Sequence, residues 1–254
     1  MPSSDSTVAP ILKRGPIRRI LEPALQLWLR SQVESVSSLE VHLEGGDRQI
    51  LSGHLPNVRL KTQKVVYQGL HLSQIELNGS NLRINIGQIL KGKSLRLLEP
   101  LPIDLSVSLL APDARASLHS ALFQSAIIDA LLMLVGEQIT EALGQSVPSE
   151  LLVLQDPYLH LSDNTVRFSA LLSVRQGERS VPVALKTSLR LEGPHTLSLD
   201  RPEWLPTPQS KRGLPLRDLQ GYSFDLGPQV QLQELAIAPE GIFVRGRMTV
   251  LPEI

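Results

Sequence analysis

The sequence predicts an α+β fold in which an antiparallel β-sheet wraps around one long apolar helix, with an amphipathic helix near the N-terminus. Two long segments carry apolar residues at helical spacing, and many shorter segments alternate apolar and polar residues with the period of β-strands. These elements occur in the order helix, β block, helix, β block. Neither β block can cover both faces of a sheet alone, so one face of each is expected to pack on a helix.

The first helix is predicted to begin near Pro16, because proline suits the first turn of a helix. Its apolar residues, from Ile17 to Val33, lie on one side, and arginine and glutamate residues lie on the other. Pro23 removes a backbone donor, so it either kinks the helix or moves its start. The small, polar residues 1–15 are predicted to form a disordered tail.

The first β block is predicted from alternating segments separated by turn residues. Gly45-Gly46-Asp47 marks one turn, and Asn78-Gly79 is a strong hairpin signal. The predicted strands cover residues 39–43, 50–55, 58–62, 70–77, 82–86 and 103–109.

The second helix is predicted from about Asp113, a residue that can cap its first turn, to Leu143, with Gly144 at the left-handed C-terminal position. From Ala121 to Val135 it is apolar on nearly every side. Such a helix must be covered on all faces. The expected cover is the sheet of the same chain or a bound lipid, although a dimer interface would serve equally.

The second β block begins near Leu151 and closes with a hairpin that turns at Pro239-Glu240-Gly241. Its predicted strands cover residues 166–174, 181–191, 230–238 and 242–250. A proline-rich loop that contains Trp204 is predicted at 200–221. Residues 16–254 are therefore expected to form a single domain.

Composition excludes several classes of function. The 25 basic and 25 acidic residues balance, which argues against nucleic acid as a partner. The absence of cysteine excludes disulfides and thiolate metal sites. The six histidines form no metal-binding motif, so neither a metal nor a cofactor is expected. No signal peptide and no run of about 20 apolar residues is evident, so a soluble protein is expected.

One phosphate-binding motif requires attention, because Gly87–Ser94 reads GQILKGKS and matches G-x-x-x-x-G-K-S. A true phosphate loop connects a buried strand to a helix. Here Leu95–Glu99 runs directly into Pro100, which leaves no room for that helix. The match is interpreted as a coincidence. No serine-hydrolase motif occurs either, so the sequence predicts a protein that is not an enzyme.

Basic clusters offer contacts to a phospholipid headgroup or an anionic membrane surface. One comprises Lys91, Lys93 and Arg96, and another includes Arg18 and Arg19. Because Trp28 lies on the other side of the first helix, that helix could lie in a membrane interface. The alternatives are solvated surface charge and a helix buried in the core.

Four segments carry a resemblance to a known family. LWLRSQVESVSSLEVHLEGGDRQILSGHLPNVRL begins at Leu27, VVYQGLHLSQIELNGSNLRINIGQILKGKSLRLLEPLP covers Val65–Pro102, LLAPDARASLHSALF covers Leu109–Phe123, and FDLGPQVQLQELAIAPEGIFVRGRMTVLP covers Phe224–Pro252. Together they resemble the bacterial LmeA family of phospholipid-binding proteins across about residues 28–252. The resemblance implies a tubular lipid-binding-like fold, with a long, strongly curved sheet around a helix. It also implies a role in the cell envelope.

The sequence thus predicts non-enzymatic binding, with transfer as an extension, of phospholipid between the sheet and the second helix. The expected acyl-chain contacts are Leu122, Phe123, Ala126, Ile127, Ala130, Leu131 and Leu134. The alternative is a scaffold protein with a dry core that docks on a membrane or a protein partner. A lipid-modifying role within a complex is a third hypothesis. Without a signal peptide, the expected location is the cytoplasm, peripheral on the cytosolic face of a membrane.

Overall fold

Two antiparallel sheets, each with a helix on one face, make up the fold of the computed structural model. The structure describes residues 16–89, 93, 95–144, 147–175, 177 and 179–252. The predicted tail 1–15, Lys91 and part of the GQILKGKS segment lie outside the described residues. The helices are α1 (Pro16–Ser31), α2 (Asp47–Leu51), α3 (Ile86–Ile89), α4 (Ala111–Ser117) and α5 (Ala121–Leu143).

The strands are β1 (Ser35–Glu44), β2 (His54–Tyr67), β3 (Leu70–Arg83), β4 (Leu101–Leu110), β5 (Leu152–Ser162), β6 (Thr165–Val174), β7 (Ser180–Gly193), β8 (Thr196–Trp204), β9 (Leu214–Pro215), β10 (Ser223–Asp225), β11 (Val230–Ala238) and β12 (Gly241–Val250). The first sheet has the order β1-β2-β3-β4-β12-β11. The second has the order β10-β8-β7-β6-β5, with β9 paired to β8. Strands account for 52% of the chain and helices for 26%, which confirms the predicted α+β class.

The predicted continuous sheet is divided in two. β4 is hydrogen-bonded to β3 on one edge and to β12 on the other, so it offers no free edge to the strand that follows α5. β5 therefore starts a second sheet by pairing with β6. Helix α1 packs on the first sheet, and α5 packs on the second. The core beneath α5 also contains residues of α4 and Ile237 of β11, so it extends to the first sheet, which α4 contacts through β3.

Three local predictions are wrong for identifiable reasons. Residues 47–51 form α2 instead of a turn and a strand. The segment around Asn78-Gly79 is not a hairpin, because β3 continues through it and pairs with β2 and β4. β8 extends to Trp204, so the proline-rich loop begins later than predicted and is itself interrupted by β9.

The second helix is divided into α4 and α5 by the segment Leu118–Ser120. The Ser120 side chain accepts a hydrogen bond from the Phe123 amide at 3.1 Å and so caps a new helix. Asp113 is not a cap, since α4 begins at Ala111, and its carboxylate bonds elsewhere. Gly144 closes α5 in the left-handed conformation, as predicted.

Candidate functional site

A cavity of about 590 Å³ lies between α1 and the first sheet. Its size falls in the range of about 300–1,000 Å³ that is usual for small-molecule sites. Most of its wall is aliphatic. The α1 residues are Leu25, Trp28, Leu29 and Gln32; strands β1 to β4 contribute Val41, Val58, Leu60, Leu77, Gly79, Leu82, Leu101 and Ile103; and Leu95, Arg96, Leu97, Val250 and Leu251 complete the wall.

The floor of this cavity is set by strand register. Val41, Leu60 and Leu77 are cross-strand neighbours on β1, β2 and β3. In the adjacent row, Gly79 lies between Val58 and Ile103. Because successive side chains point to opposite faces, alternate residues of each strand form one apolar surface. Gly79, with no side chain, leaves space in the middle of that surface.

The roof is α1, held to the sheet by buried leucines and by two polar contacts. Leu21 and Leu25 belong to the core beneath it. The Glu22 carboxylate accepts a hydrogen bond from the Leu43 amide at 3.0 Å, and the Arg18 guanidinium donates to the Leu43 carbonyl at 3.2 Å. Since β1 is an edge strand, its outward backbone groups have no partner strand. These contacts give hydrogen-bond partners to the backbone amide and carbonyl of Leu43, and they fix α1 against β1.

The polar rim of the cavity contains Arg96 and Gln32. Arg96 is exposed, and its backbone is tied to Asn85: its amide donates to the Asn85 side chain at 2.8 Å, and its carbonyl accepts from the Asn85 amide at 3.3 Å. Leu97 forms an isolated bridge to Ile84. These bonds hold Arg96 and Leu97 at the wall of the cavity. The cationic side chain of Arg96 therefore lies beside an apolar interior.

The predicted headgroup and membrane residues separate into three groups. Trp28 and Arg96 line the cavity. Arg18 points inward to Leu43, whereas Arg19 and Lys93 are exposed. The outer surface of α1 also carries Arg30 and two large apolar side chains. These are Ile20, which is 70% exposed, and Leu27, which is 72% exposed.

The predicted acyl-chain residues on α5 do not line this cavity. Leu131 is only 2% exposed and belongs to the core of the second sheet, together with Ile128, Val135, Ile139 and Leu143. Phe123, Ile127, Ala130 and Leu134 are half-buried, and Leu122 and Ala126 are exposed. Within the chain itself only one stripe of α5 is buried, so the sheet covers that stripe alone. Cover of the other faces by a lipid or by a dimer partner stays a prediction.

Helix α5 is also long and apolar enough to cross a membrane, judged by length and composition alone. This differs from the sequence-based expectation of no such segment. Core helices of soluble proteins meet the same criteria, and the buried stripe of α5 packs on β5 and β7. Its backbone is also broken at Val135, which has φ −140° and ψ 29°.

A polar cluster joins the first sheet to α4 through Asp113. Its carboxylate accepts hydrogen bonds from the Ser73 hydroxyl at 2.5 Å and from Lys64 Nζ at 3.2 Å. Burial by itself would raise the pKa of Asp113, but the Ser73 hydrogen bond and the bond and charge of Lys64 lower that pKa below its ordinary value. All three groups are engaged with one another, so we interpret the cluster as structural.

Within the described ranges, no group of acidic or histidine side chains is arranged to hold a metal ion. Gly87 lies inside α3, a helix of 4 residues, and not in a loop that leaves a strand. Residues 90–92 and 94 of GQILKGKS lie outside the described residues, so its interpretation as a coincidence stays a prediction.

Sequence reasoning missed the cavity because its wall has the composition of a core. Leu60, Leu77 and Leu82 could be assigned to buried strand faces, but the pattern gives no distance between helix and sheet. The one available signal was Gly79, a glycine inside an apolar strand pattern, which often marks a bulge or a close approach. It was interpreted as part of a turn.

Comparison with known proteins gives one match. The family model described as LmeA-like phospholipid-binding matches residues 12–247 of the chain. No match to a curated protein or to a solved structure was found.

Proposed function

We propose that this protein, which belongs to the LmeA-like phospholipid-binding family, holds an acyl chain of a phospholipid in the cavity between α1 and the first sheet. The observation that carries the proposal is the aliphatic cavity of about 590 Å³ with a cationic rim. Its chemistry matches a molecule with an apolar chain and an anionic head.

Apolar burial would supply most of the binding free energy. Each buried methylene contributes about 0.8 kcal/mol, so about six methylenes between Leu29, Leu60 and Leu77 contribute roughly 5 kcal/mol. The wall offers few hydrogen-bonding groups, which suits an alkyl chain and disfavours a polar ligand.

The headgroup would lie at the rim. Arg96 is placed to meet a phosphate, and a guanidinium can donate two parallel hydrogen bonds to its oxygens. Lys93 is exposed two residues before Leu95 and adds positive charge near the same segment. Lys91 keeps its proposed headgroup role on sequence alone.

The outer surface of α1 would bring the cavity to a membrane. Ile20 and Leu27 are exposed on that surface, and Arg19 and Arg30 flank them. A helix with apolar residues beside arginines binds the interface of an anionic bilayer. With α1 as both roof and contact surface, lipid could pass between bilayer and cavity without crossing open water.

A second candidate site is the open surface of α5, which we define by Leu122, Phe123, Ala126, Ile127, Ala130, Met133 and Leu134. Leu122 is 45% exposed and Met133 is 62% exposed, although both are apolar. Leu131 is excluded from this surface because it is buried in the core. The α5 surface would hold lipid externally or dock on a protein, which is the scaffold alternative.

A phospholipid with a photoreactive group at the end of its acyl chain separates these sites. After irradiation, digestion and peptide mass spectrometry, label is expected on peptides that contain Trp28, Leu29 or Leu77. Label confined to residues 121–134 would assign the lipid to α5 instead. An absence of label above that of a soluble control protein would contradict both sites.

A further inference from the structure

We propose that a pocket on the outer face of the second sheet, remote in the fold from the α1 cavity, binds a phosphate group. The outer face is the one turned away from α5. The pocket has a volume of about 180 Å³. Its walls include Tyr158, His160, Arg167 and Ser169 from β5 and β6, with Leu205 and Pro208 from the segment after β8.

Strand register brings the four polar residues together. Tyr158 is paired with Ser169, and His160 is paired with Arg167. Residues two apart on a strand share a face, so all four side chains meet on one surface. A β-bulge between Gln155 and Tyr158, where Asp156 has φ 48°, re-aims β5 just before this site.

These four side chains all offer hydrogen-bond donors that the described part of the chain does not use. Arg167 is half-buried, yet its guanidinium forms no hydrogen bond or ion pair with a described residue. The Ser169 and Tyr158 hydroxyls and the His160 ring are likewise without a described partner. A half-buried guanidinium beside two unused hydroxyls is a donor set for an oxyanion.

The surrounding charges favour an anion as well. In the same cross-strand row, Lys186 follows Arg167, and Glu203 follows Lys186. Glu203 accepts from Lys186 Nζ at 3.1 Å and from the Gly213 amide at 2.9 Å. The charge of Arg167 also acts on this carboxylate, so Arg167 and Lys186 together meet one negative charge and keep a net positive charge. Arg115 adds a further cation, 5.9 Å from the centre of the Tyr158 ring.

The roof of the pocket is held in place and is apolar. The Leu205 amide donates to the Ala184 carbonyl of β7 at 2.8 Å, which fixes the segment over the sheet. Leu205 and Pro208 can therefore cover a small organic substituent of the phosphate. The volume fits a phosphate group and excludes a whole phospholipid, so the ligand is either a soluble phosphate ester or the headgroup of a lipid that remains in a bilayer.

Calorimetric titration with inorganic phosphate, at constant ionic strength and against a chloride control, tests the pocket. The wild-type protein should show saturable binding at one site. Arg167→Gln should weaken it by about ten-fold or more, because a hydrogen bond to a charged group is lost. Arg175→Gln is the matched control, since Arg175 is exposed beyond the end of β6, and it should bind as the wild type does.

A second variant covers the case in which Arg167→Gln is misfolded by circular dichroism. Tyr158→Phe removes only an exposed hydroxyl, and it should fold normally and weaken phosphate binding several-fold. No saturable heat in the wild type would overturn the proposal. Wild-type affinity in Tyr158→Phe and in every folded Arg167 variant would do the same.

The source of the phosphate is distinguished by two further ligands, glycerol 3-phosphate in solution and phosphatidic acid in phosphatidylcholine vesicles. If Arg167→Gln weakens only the binding of glycerol 3-phosphate, the pocket takes a soluble ester. If it also reduces co-sedimentation with the vesicles, the pocket takes a lipid headgroup. Unchanged binding of both ligands would count against the pocket.

Discussion

The Asp113 carboxylate accepts a hydrogen bond from the Ser73 hydroxyl at 2.5 Å, and this contact joins α4 to β3 of the first sheet. The same hydroxyl accepts from the Leu110 amide at 2.8 Å, at the end of β4. Ser117 extends the junction, because its hydroxyl accepts from the His71 amide at 2.8 Å. The chain passes from the first sheet to the second through α4. These hydrogen bonds therefore fix the position of α4 against the first sheet.

Replacement of this carboxylate should therefore destabilise the fold. Asp113→Asn is expected to lower the free energy of unfolding by about 1.5–3 kcal/mol, the usual contribution of hydrogen bonds to a charged group. Urea denaturation measures the change. Asp104→Asn is the control: Asp104 pairs with Arg247 at 2.8 Å, but both side chains are more than half exposed, so its loss should cost under about 1 kcal/mol. Equal losses in the two variants would contradict the structural role of Asp113.

The same carboxylate predicts a dependence of stability on pH. The pKa of Asp113 is lower in the folded protein than in the unfolded chain, where it is about 3.9. Its contribution is thus complete above that value and is lost as the pH falls through the folded-state pKa. The stability difference between wild type and Asp113→Asn should be constant near neutral pH and shrink below about pH 4. A difference that grows on acidification would exclude this assignment.

One-sided burial of α5 predicts that neighbouring apolar positions contribute unequally to the free energy of unfolding. Leu131→Ala removes a side chain that is 2% exposed and should cost about 2–5 kcal/mol. Met133→Ala removes one that is 62% exposed and should change stability by less than about 0.5 kcal/mol. Thermal and urea unfolding would measure both. Met133 Sδ accepts a hydrogen bond from the Tyr222 hydroxyl, so the same change is also measured in a Tyr222→Phe background. A large cost at Met133 in both backgrounds would mean that the open surface of α5 is covered in solution.

The outer surface of α1 predicts binding to membranes. The double variant Ile20→Glu, Leu27→Glu should weaken co-sedimentation with anionic vesicles by about ten-fold or more, because two large apolar side chains can no longer be buried. Leu214→Glu is a matched control on the second sheet, since Leu214 is 69% exposed. If the control weakens binding as much as the double variant, α1 is not the membrane contact.

Sequence reasoning recovered the elements that depend on local pattern. The described residues of α1 are helical from Pro16 through Pro23, as the periodicity predicts, and α5 is capped by Gly144. The helix break before Ala121 was missed, although Ser120 is a good capping residue, because the apolar pattern continues across the break. The molecule follows the capping signal of Ser120, whereas the sequence-based prediction followed the apolar pattern.

The site depends on contacts that a pattern does not contain. Asn78-Gly79 has the local chemistry of a hairpin, but pairing on both sides keeps it in a strand. Leucines that line a cavity and leucines that fill a core have the same spacing. Which leucines line space depends on how far Glu22 and Arg18 hold α1 above β1, and that is a tertiary property.

Gly79 offers a way to fill the cavity without adding charge. A Cβ at this position would lie 3.5 Å from the Leu101 side chain, which is ordinary contact, so a side chain can be attached there without a clash at Cβ. Gly79→Leu should raise the free energy of unfolding of the lipid-free protein by about 0.5–2 kcal/mol, as cavity-filling changes commonly do. A loss of stability would show that the space beside Gly79 is already filled in solution.

Mass spectrometry of organic extracts from purified protein tests the central claim most directly. Wild type and Gly79→Leu would be compared with Gly193→Leu, a matched control on β7 where an added Cβ meets nothing within 4 Å. We predict stoichiometric phospholipid in the wild type and in Gly193→Leu, and its loss from folded Gly79→Leu. Phospholipid retained by Gly79→Leu would place the lipid outside the α1 cavity. An empty wild-type extract, with no uptake from liposomes, would contradict phospholipid binding itself.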